Sequence, residues 1–397
     1  MEPAHQPLSG VVVIDLTQIY NGPYCTFLLA AGGADVIKIE PPGGEHLRKR
    51  QVTGTAALPF AMLNQYKRSL RLDLKTERGR ELLRALAKDA DVLVENFAPG
   101  VMDRLGLGRA AMAEINPRLI YAASSGYGST GPYRDYPAMD LTVQAMSGIM
   151  SVTGFPDGEP VRAGPTVCDF FGGVHLYAAV MTALFERERT GQAHAVEVAM
   201  LEASYFSLSS NLAALHGRGA ARRVGNRQGS LSLAPYNIYP TSDGYIAIIT
   251  NHDAHWQSLL TAFGQQALND DPRFQTIKAR VEHMETVDAM VSAWTRKLTK
   301  QAAFELLIRH RVPCAPVREI PEVLADPHLH ARGWLKEVDH PEFGRLTLPS
   351  SPLHIDGLPP PPHRPSARLG ADGRAVLAER LGLDDVELDR LERDGVI

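Results

Sequence analysis

Short apolar runs alternate with helix-length segments over the first 200 residues, and this constrains the chain more than any other feature. Residues 10–16 are almost wholly apolar, which predicts a strand buried on both faces, as in parallel sheets. Asn21-Gly22-Pro23 follows, with the proline placed for a first helical turn, and Gly32-Gly33 stops the predicted helix near Ala31. Further strands are predicted at 34–40, 91–95, 118–123 and 195–200, and helices at 76–89, from 102, at 174–189 and on to about 216. Parallel strands need crossovers, and helices of this length supply them. The pattern predicts an α/β fold whose large Rossmann-like parallel-sheet domain spans residues 1–220.

Beyond that point the texture changes. Apolar runs at 237–239 and 245–249 flank Pro240-Thr-Ser-Asp-Gly244, a hairpin signature, and helical patterns follow at 254–263, 286–297 and 300–308. A smaller α+β domain is expected over 225–325. Residues 349–365 are proline-rich, including Pro359-Pro360-Pro361-Pro362, and predict a stiff connector. Amphipathic helices at 375–381 and 385–394 end the chain. Residues 326–397 are therefore expected to form an extended linker whose helices return to the first domain or to a partner subunit.

At 397 residues, 44% hydrophobic and 22% charged, the chain is ordinary for a globular protein and too long for one compact core. A net charge of −4 gives no basic footprint, so nucleic acid is not an expected partner. Cys25, Cys168 and Cys314 form neither a CxxC pair nor a ligand set with histidine, so neither disulfides nor a metal site is expected. The N-terminus, from Met1 to Pro7, shows no signal peptide, and the apolar run at 174–185 is short for a bilayer and contains His175. A cytoplasmic protein without membrane association is expected.

Glu40 lies where a ribose-binding acid would follow a first strand. The turn before it is Thr17-Gln18-Ile19-Tyr20-Asn21-Gly22-Pro23, not G-x-G-x-x-G, so NAD is not expected. Walker A, HExxH and GxSxG sequences are absent as well. Val167-Cys168-Asp169-Phe170-Phe171-Gly172-Gly173 puts a carboxylate at a helix entrance, where unpaired amides favour anions. Asp is also a common N-cap, so this segment alone reads first as a plain helix start, and Asp140 before 141–150 reads as readily as a cap as it does as a functional group. Lys67, Arg68 and Lys75, taken singly, are expected in solvent. Asn96 and Phe97 follow a strand's carboxyl end, where open α/β sheets bind ligands, and Arg104 suits a phosphate.

Several segments, in order, carry a resemblance: Leu8-Ser-Gly-Val-Val-Val-Ile-Asp-Leu16, Gly22-Pro23, Gly33-Ala-Asp-Val-Ile-Lys-Ile-Glu-Pro41, and Asn64-Gln-Tyr-Lys-Arg-Ser69. Leu72-Asp-Leu-Lys75, Ala90-Asp-Val-Leu-Val-Glu-Asn-Phe97, Pro99-Gly100, Asp103-Arg-Leu-Gly106, Asp140, the Asp169 segment, Arg189-Thr-Gly191 and Asp394-Gly-Val-Ile397 continue it. Nearly end to end, the chain resembles the class III CoA-transferases, which include formyl-CoA and carnitine CoA-transferases, with 2-methylacyl-CoA racemases as relatives. The resemblance implies that Asp169 is a nucleophile carrying CoA as an aspartyl thioester, with Asp140 near it helping to balance charge. It implies a CoA site at Lys75, Asn96, Phe97 and Arg104, with Gln18, Ile19, Tyr20 and Asn21 over the pantetheine arm and thioester. Amides near Gly172 and Gly173 are expected to stabilise oxyanions. CoA and acyl-CoA are then substrates, with no permanently bound cofactor and no metal, and the family's assembly is a ring-shaped homodimer of interlocked chains.

Three departures qualify the resemblance. Met139 precedes Asp140 where racemases have a proton-shuttling histidine, which disfavours the alternative of a 2-methylacyl-CoA racemase or epimerase. The stretch from Gly225 to Tyr236 lacks the glycine run of formyl-CoA transferases, which argues against oxalate and for other short dicarboxylic acids with a succinyl-CoA-type donor. Tyr20 replaces a glutamine of formyl-CoA transferases, whose role is either absent here or moved to Gln18. A CoA-binding protein without chemistry is a further alternative, opposed by the intact Asp169 segment.

Overall fold

The computed structural model describes residues 5–49, 58–358 and 361–397. The first four residues and Pro359-Pro360 of the predicted connector lie outside the described residues. The chain forms two compact units, one of Met1–Met146, Pro165–Ser204 and Asp326–Ile397, the other of Ser147–Gly164 and Tyr205–Ala325. The second unit thus begins earlier than the expected 225 and includes a segment that sequence periodicity placed in the first. Gly148, at φ 91°, adopts a left-handed conformation that glycine takes readily, and it separates the helix Asp140–Ser147 from the short helix Ile149–Val152 at that boundary.

In the first unit the elements are β1 (Val12–Asp15), α1 (Asn21–Ala31), β2 (Asp35–Glu40), β3 (Arg68–Arg71), α2 (Glu77–Ala87), β4 (Val92–Glu95), β5 (Ile120–Ser125), α3 (Asp140–Ser147), α4 (Val167–Thr190) and β6 (Val196–Ala199). The six strands are parallel throughout, in the order β3-β2-β1-β4-β5-β6. Strand order reverses between β1 and β4, the switch point at which such sheets open a crevice. Val13 lies beside Val36 and Val92, and Ile14 beside Ile37 and Leu93, so alternate residues face opposite sides. One side packs on Leu29 of α1 and Leu176, Val180 and Leu184 of α4. The other packs on Leu82, Leu83 and Leu86 of α2 and on Leu377, Leu388 and Ile397 near the C-terminus. Each such side chain contributes about 1.5–3 kcal/mol by leaving water.

Helix α4 runs 24 residues, well beyond the predicted 174–189. By length and hydropathy it would suffice to cross a membrane, contrary to the expectation from the shorter run. Its apolar residues instead fill the first unit's core, and buried Arg187 donates to Asp91 Oδ1 at 2.8 Å. A Cβ on Gly172 would stand 2.0 Å from Asn21 Nδ2, and one on Gly173 2.5 Å from the Asn21 carbonyl. The two glycines let α4 lie directly against the start of α1.

The second unit holds β7 (Tyr236–Pro240), β8 (Tyr245–Ile249), α5 (Asp253–Ala262), α6 (Met284–Thr295), α7 (Lys300–Arg309) and β9 (Cys314–Pro316). The strands form an antiparallel sheet over a core containing Trp256, Leu259, Phe274 and Val291. The C-terminal segment contains an unforeseen hairpin, β10 (Leu335–His340) with β11 (Gly344–Pro349), and then α8 (Gly373–Leu381) and α9 (Asp385–Arg393). It completes the first unit of its own chain. Ser69 on edge strand β3 donates its N–H to Asp372 Oδ2 at 2.8 Å, and Asp73 donates to the Val396 carbonyl at 2.9 Å. These bonds cover an edge that would otherwise expose unpaired backbone.

Candidate active site

Strands β1 and β4 deliver their following loops side by side at the switch point. Gln18 donates its N–H to Asn96 Oδ1 at 2.8 Å, and Asn96 Nδ2 returns a bond to the Gln18 carbonyl at 2.9 Å. The next residue, Ile19, sits at φ 68°, which a β-branched side chain adopts only at a cost. A cavity of about 200 Å³ opens here, lined by Gln18, Ile19, Asn21, Asn96, Phe97, Met139 and Asp169. Tyr127, Arg134 and Tyr136 also line it, and nothing in the sequence reading marked them. A larger cavity of about 560 Å³ shares Gln18 and Phe97 with the first and contains Lys75, Gly43, Gly44 and Lys49. Tyr20 and Arg104 line neither cavity. Tyr20 packs against the Phe170 ring at 6.2 Å, and Arg104 is exposed at the end of the short helix Val101–Arg104.

Asp169 is the third residue of α4 and is 8% exposed. Asp140 holds the start of this helix. Its Oδ1 accepts from the Cys168 N–H at 2.9 Å and the Asp169 N–H at 3.3 Å, while Oδ2 accepts from Gln144 Nε2 at 2.6 Å. Asp140 is therefore a cap, but of α4 and not of α3, on which it lies. Val167 and Phe170 donate to the carbonyls of Pro165 and Thr166. Gly172 and Gly173 lie one turn further in, where N–H groups bond within the helix. The expectation that their amides serve as oxyanion donors is thereby corrected: only first-turn amides are free in principle, and these are already engaged.

Asn21 presents the opposite situation. It is 2% exposed, and neither its Oδ1 nor its Nδ2 finds a hydrogen-bond partner among the described residues. Each such atom costs about 1–3 kcal/mol when buried. Cys168, adjacent to Asp169, is buried, and burial, with the nearby Asp140 and Asp169 carboxylates, pushes its thiol up to about 11. It remains a thiol at neutral pH and is a poor nucleophile.

Beneath the Thr17–Asn21 loop lies a buried ionic cluster that the sequence reading missed. Lys67, expected in solvent, is 1% exposed and donates to Asp15 Oδ2 at 3.0 Å, Thr26 Oγ1 at 2.8 Å and Asn64 Oδ1 at 2.8 Å. Lys38, equally buried, donates to the Thr17 carbonyl and stands 3.8 Å from Asp15. Asp15 also accepts from the Thr17 N–H and hydroxyl. Burial raises the Asp15 carboxyl, but the two ammonium groups and the threonine hydroxyls more than offset this and hold it at about 2. Burial lowers Lys67 to about 8, with Asp15 opposing and Lys38 adding to the shift. The available signal was a lysine inside the apolar run Val36-Ile37-Lys38-Ile39, since a charge in a buried strand requires a partner.

The chain matches the model of CoA-transferase family III over residues 8–373. It is 40% identical to the acetyl-CoA:oxalate CoA-transferase of Acetobacter aceti, with 94% of this chain and 95% of that one covered. It is 35% identical to the succinate–glutarate CoA-transferase of Agrobacterium fabrum, with the same coverage of 94% and 95%. The solved structure of a CAIB/BAIF family protein from Brucella suis superposes with a TM-score of 0.83 at 34% identity, covering 94% of this chain and 99% of that one. A parallel sheet with a buried carboxylate at its switch-point crevice, together with full-length similarity of this degree, places the chain in CoA-transferase family III, as a CoA-transferase.

Proposed function

We propose that Asp169 carries CoA between two acids as an aspartyl-CoA thioester. The observation that supports this best is Asp169 itself, in the first turn of α4 on the wall of a cavity that the hydrogen-bonded Gln18–Asn96 pair also lines. CoA would lie with its nucleotide end in the larger cavity near Lys75. The pantetheine arm would pass Gln18 and Phe97, which line both cavities, and the thioester would reach Asp169.

The ionised Asp169 carboxylate attacks the thioester carbonyl carbon, and the C=O electron pair moves onto oxygen. Collapse of this tetrahedral species expels CoA thiolate and leaves a mixed anhydride. The thiolate then attacks the aspartyl carbonyl and releases the donor acid, which leaves aspartyl-CoA. The acceptor carboxylate repeats the sequence in reverse, so CoA changes acid without hydrolysis. Met139 lines the cavity where racemisation would need a proton-transferring group, and a thioether cannot fill that role.

Short dicarboxylic acids are the proposed acceptors, with a succinyl-CoA-type donor. The two relatives named above act, by their names, on oxalate and on succinate and glutarate, so a screen should span oxalate to glutarate. The proposed assembly is the interlocked cytoplasmic homodimer. The chain leaves the first unit after Ser204 and returns to it at Asp326, the connectivity that a pair of interlocked chains needs. Incubation with succinyl-CoA, followed by hydroxylamine and mass spectrometry, should mark Asp169. Asp169→Ala should show no adduct and lose at least about 10⁴-fold in turnover while melting as the wild type does. Substantial transfer by that variant would refute the mechanism.

A further inference from the structure

We infer that Asn21 is a catalytic residue of the transfer: its side-chain amide donates a hydrogen bond to the carbonyl oxygen at the reacting centre as that oxygen becomes an oxyanion. The inference rests on the reading that Asp169 carries CoA, and it names the donor that this chemistry still lacks. Four features of the site converge on Asn21. It lines the same cavity as Asp169. It is almost wholly buried, yet both polar atoms of its amide are unpartnered among the described residues. The amide stands over Gly172, where any Cβ would come within 2.0 Å of Nδ2, so the nucleophile's own helix is bare of side chain at the point where Asn21 needs room. Finally, the first-turn amides of α4, the obvious alternative donors, are held by Asp140, Pro165 and Thr166.

A buried amide without partners contributes nothing to the stability of the free protein, and alanine is the better helix former at the start of α1. A donor fixed before the reaction and kept from water is, however, what a developing oxyanion requires. When Asp169 attacks the thioester, negative charge collects on the former carbonyl oxygen. The Asn21 N–H bonds to that oxygen and keeps its proton, and collapse of the tetrahedral species returns the electron pair to the carbon. The same donor serves when CoA thiolate attacks the aspartyl carbonyl. Ile19, strained at φ 68°, and the ionic cluster under Thr17 hold the loop that delivers Asn21 to this place.

The test uses the full-length enzyme with succinyl-CoA as donor, or acetyl-CoA if wild type prefers it, and reads aspartyl-CoA formation by rapid quench and mass spectrometry. Asn21→Ala should form the adduct about 10²–10³-fold more slowly, with the KM for acyl-CoA within about threefold of wild type. Its melting temperature should be equal or higher. Asn21→Asp keeps the volume but removes the donor and sets an anion against the oxyanion, so it should be at least as slow as Asn21→Ala. Wild-type rates in either variant, while Asp169→Ala is inactive, would overturn the role of Asn21 and leave Asp169 as carrier. Activity in Asp169→Ala would bring down the underlying reading instead. Loss of both stability and activity in Asn21→Ala, with recovery of both in Asn21→Asp, would assign Asn21 a packing role and also overturn the inference.

Discussion

Asp15 and Glu95 end adjacent strands, β1 and β4, on the two sides of the switch point, and the fold treats them in opposite ways. Asp15 is inaccessible to solvent and is held by Lys38, Lys67 and two threonine hydroxyls. Glu95, 8% exposed, accepts from the Phe97 N–H at 2.8 Å and the Tyr121 hydroxyl at 3.4 Å. Burial raises its carboxyl to about 7, the two hydrogen bonds opposing and Asp103 and Glu197 adding to the shift. One strand end is thus a charge-compensated anchor under the Thr17–Asn21 loop. The other is an uncompensated acid under Asn96 and Phe97 that titrates near neutrality. A buried carboxylate by itself says little about function, because its neighbours decide whether it is fixed or responsive.

The largest expected effect comes from breaking the anchored side. Asp15→Ala leaves two buried ammonium groups without their carboxylate and should cost about 3–5 kcal/mol in denaturant unfolding. In the wild type, the folded carboxyl near 2 lies below its ordinary 3.8. Its stabilisation is therefore present above pH 4 and lost, by roughly 2 kcal/mol, as pH falls through 2. A loss below about 1 kcal/mol in Asp15→Ala would mean that the cluster is not an anchor.

Glu95 should show the opposite slope. Its folded carboxyl, near 7, lies above the ordinary 4.5, so its contribution is full below pH 4.5 and lost as pH rises through 7. Glu95→Gln keeps an acceptor for the Phe97 N–H and turns its amide N–H toward the Tyr121 oxygen, and it should remove a decline of about 3 kcal/mol between pH 4.5 and 8, read by unfolding across that range. If wild type and variant ran parallel with pH, the contrast between the two strand ends would disappear.

The smallest effect on stability is expected at Asp140, a third buried carboxylate, which is compensated by amides. Asn offers a similar acceptor to the Cys168 and Asp169 N–H groups, and the Gln144 amide need only turn so that its oxygen accepts from the new Nδ2, so Asp140→Asn should stay within about 1 kcal/mol of wild type. Its turnover should nevertheless slow, because the charge beside Asp169 is gone. Unchanged kcat would reduce Asp140 to a helix cap.

Much of the first unit was legible. Apolar runs located β1, β2, β4 and β5, and Pro23 with Gly32-Gly33 bracketed α1. Edge strand β3 escaped notice because Arg68-Ser-Leu-Arg71 has too few apolar residues to read as a strand, and its pairing comes from β2 and the C-terminal segment. The β10–β11 hairpin was hidden among charged residues for the same reason. Of the residues lining the two cavities, Asp169, Asn96 and Lys75 had been singled out through resemblance. Arg134, Tyr127 and the Lys67 cluster were not, since their placement depends on contacts between distant segments.

By itself, the sequence determined the strand–helix alternation, and with it the parallel sheet, and marked the carboxylate that opens α4. These follow from local periodicity and turn chemistry. Tertiary structure alone decided what surrounds that carboxylate. Asp140 reaches across 28 residues to cap α4, and Lys67 crosses 52 residues to meet Asp15. Gly172, expected to offer its amide, offers space instead, and Asn21 fills it with an unpartnered amide. Hydrogen-bond satisfaction and burial depend on which distant groups the packed elements bring together, and local pattern carries no record of that.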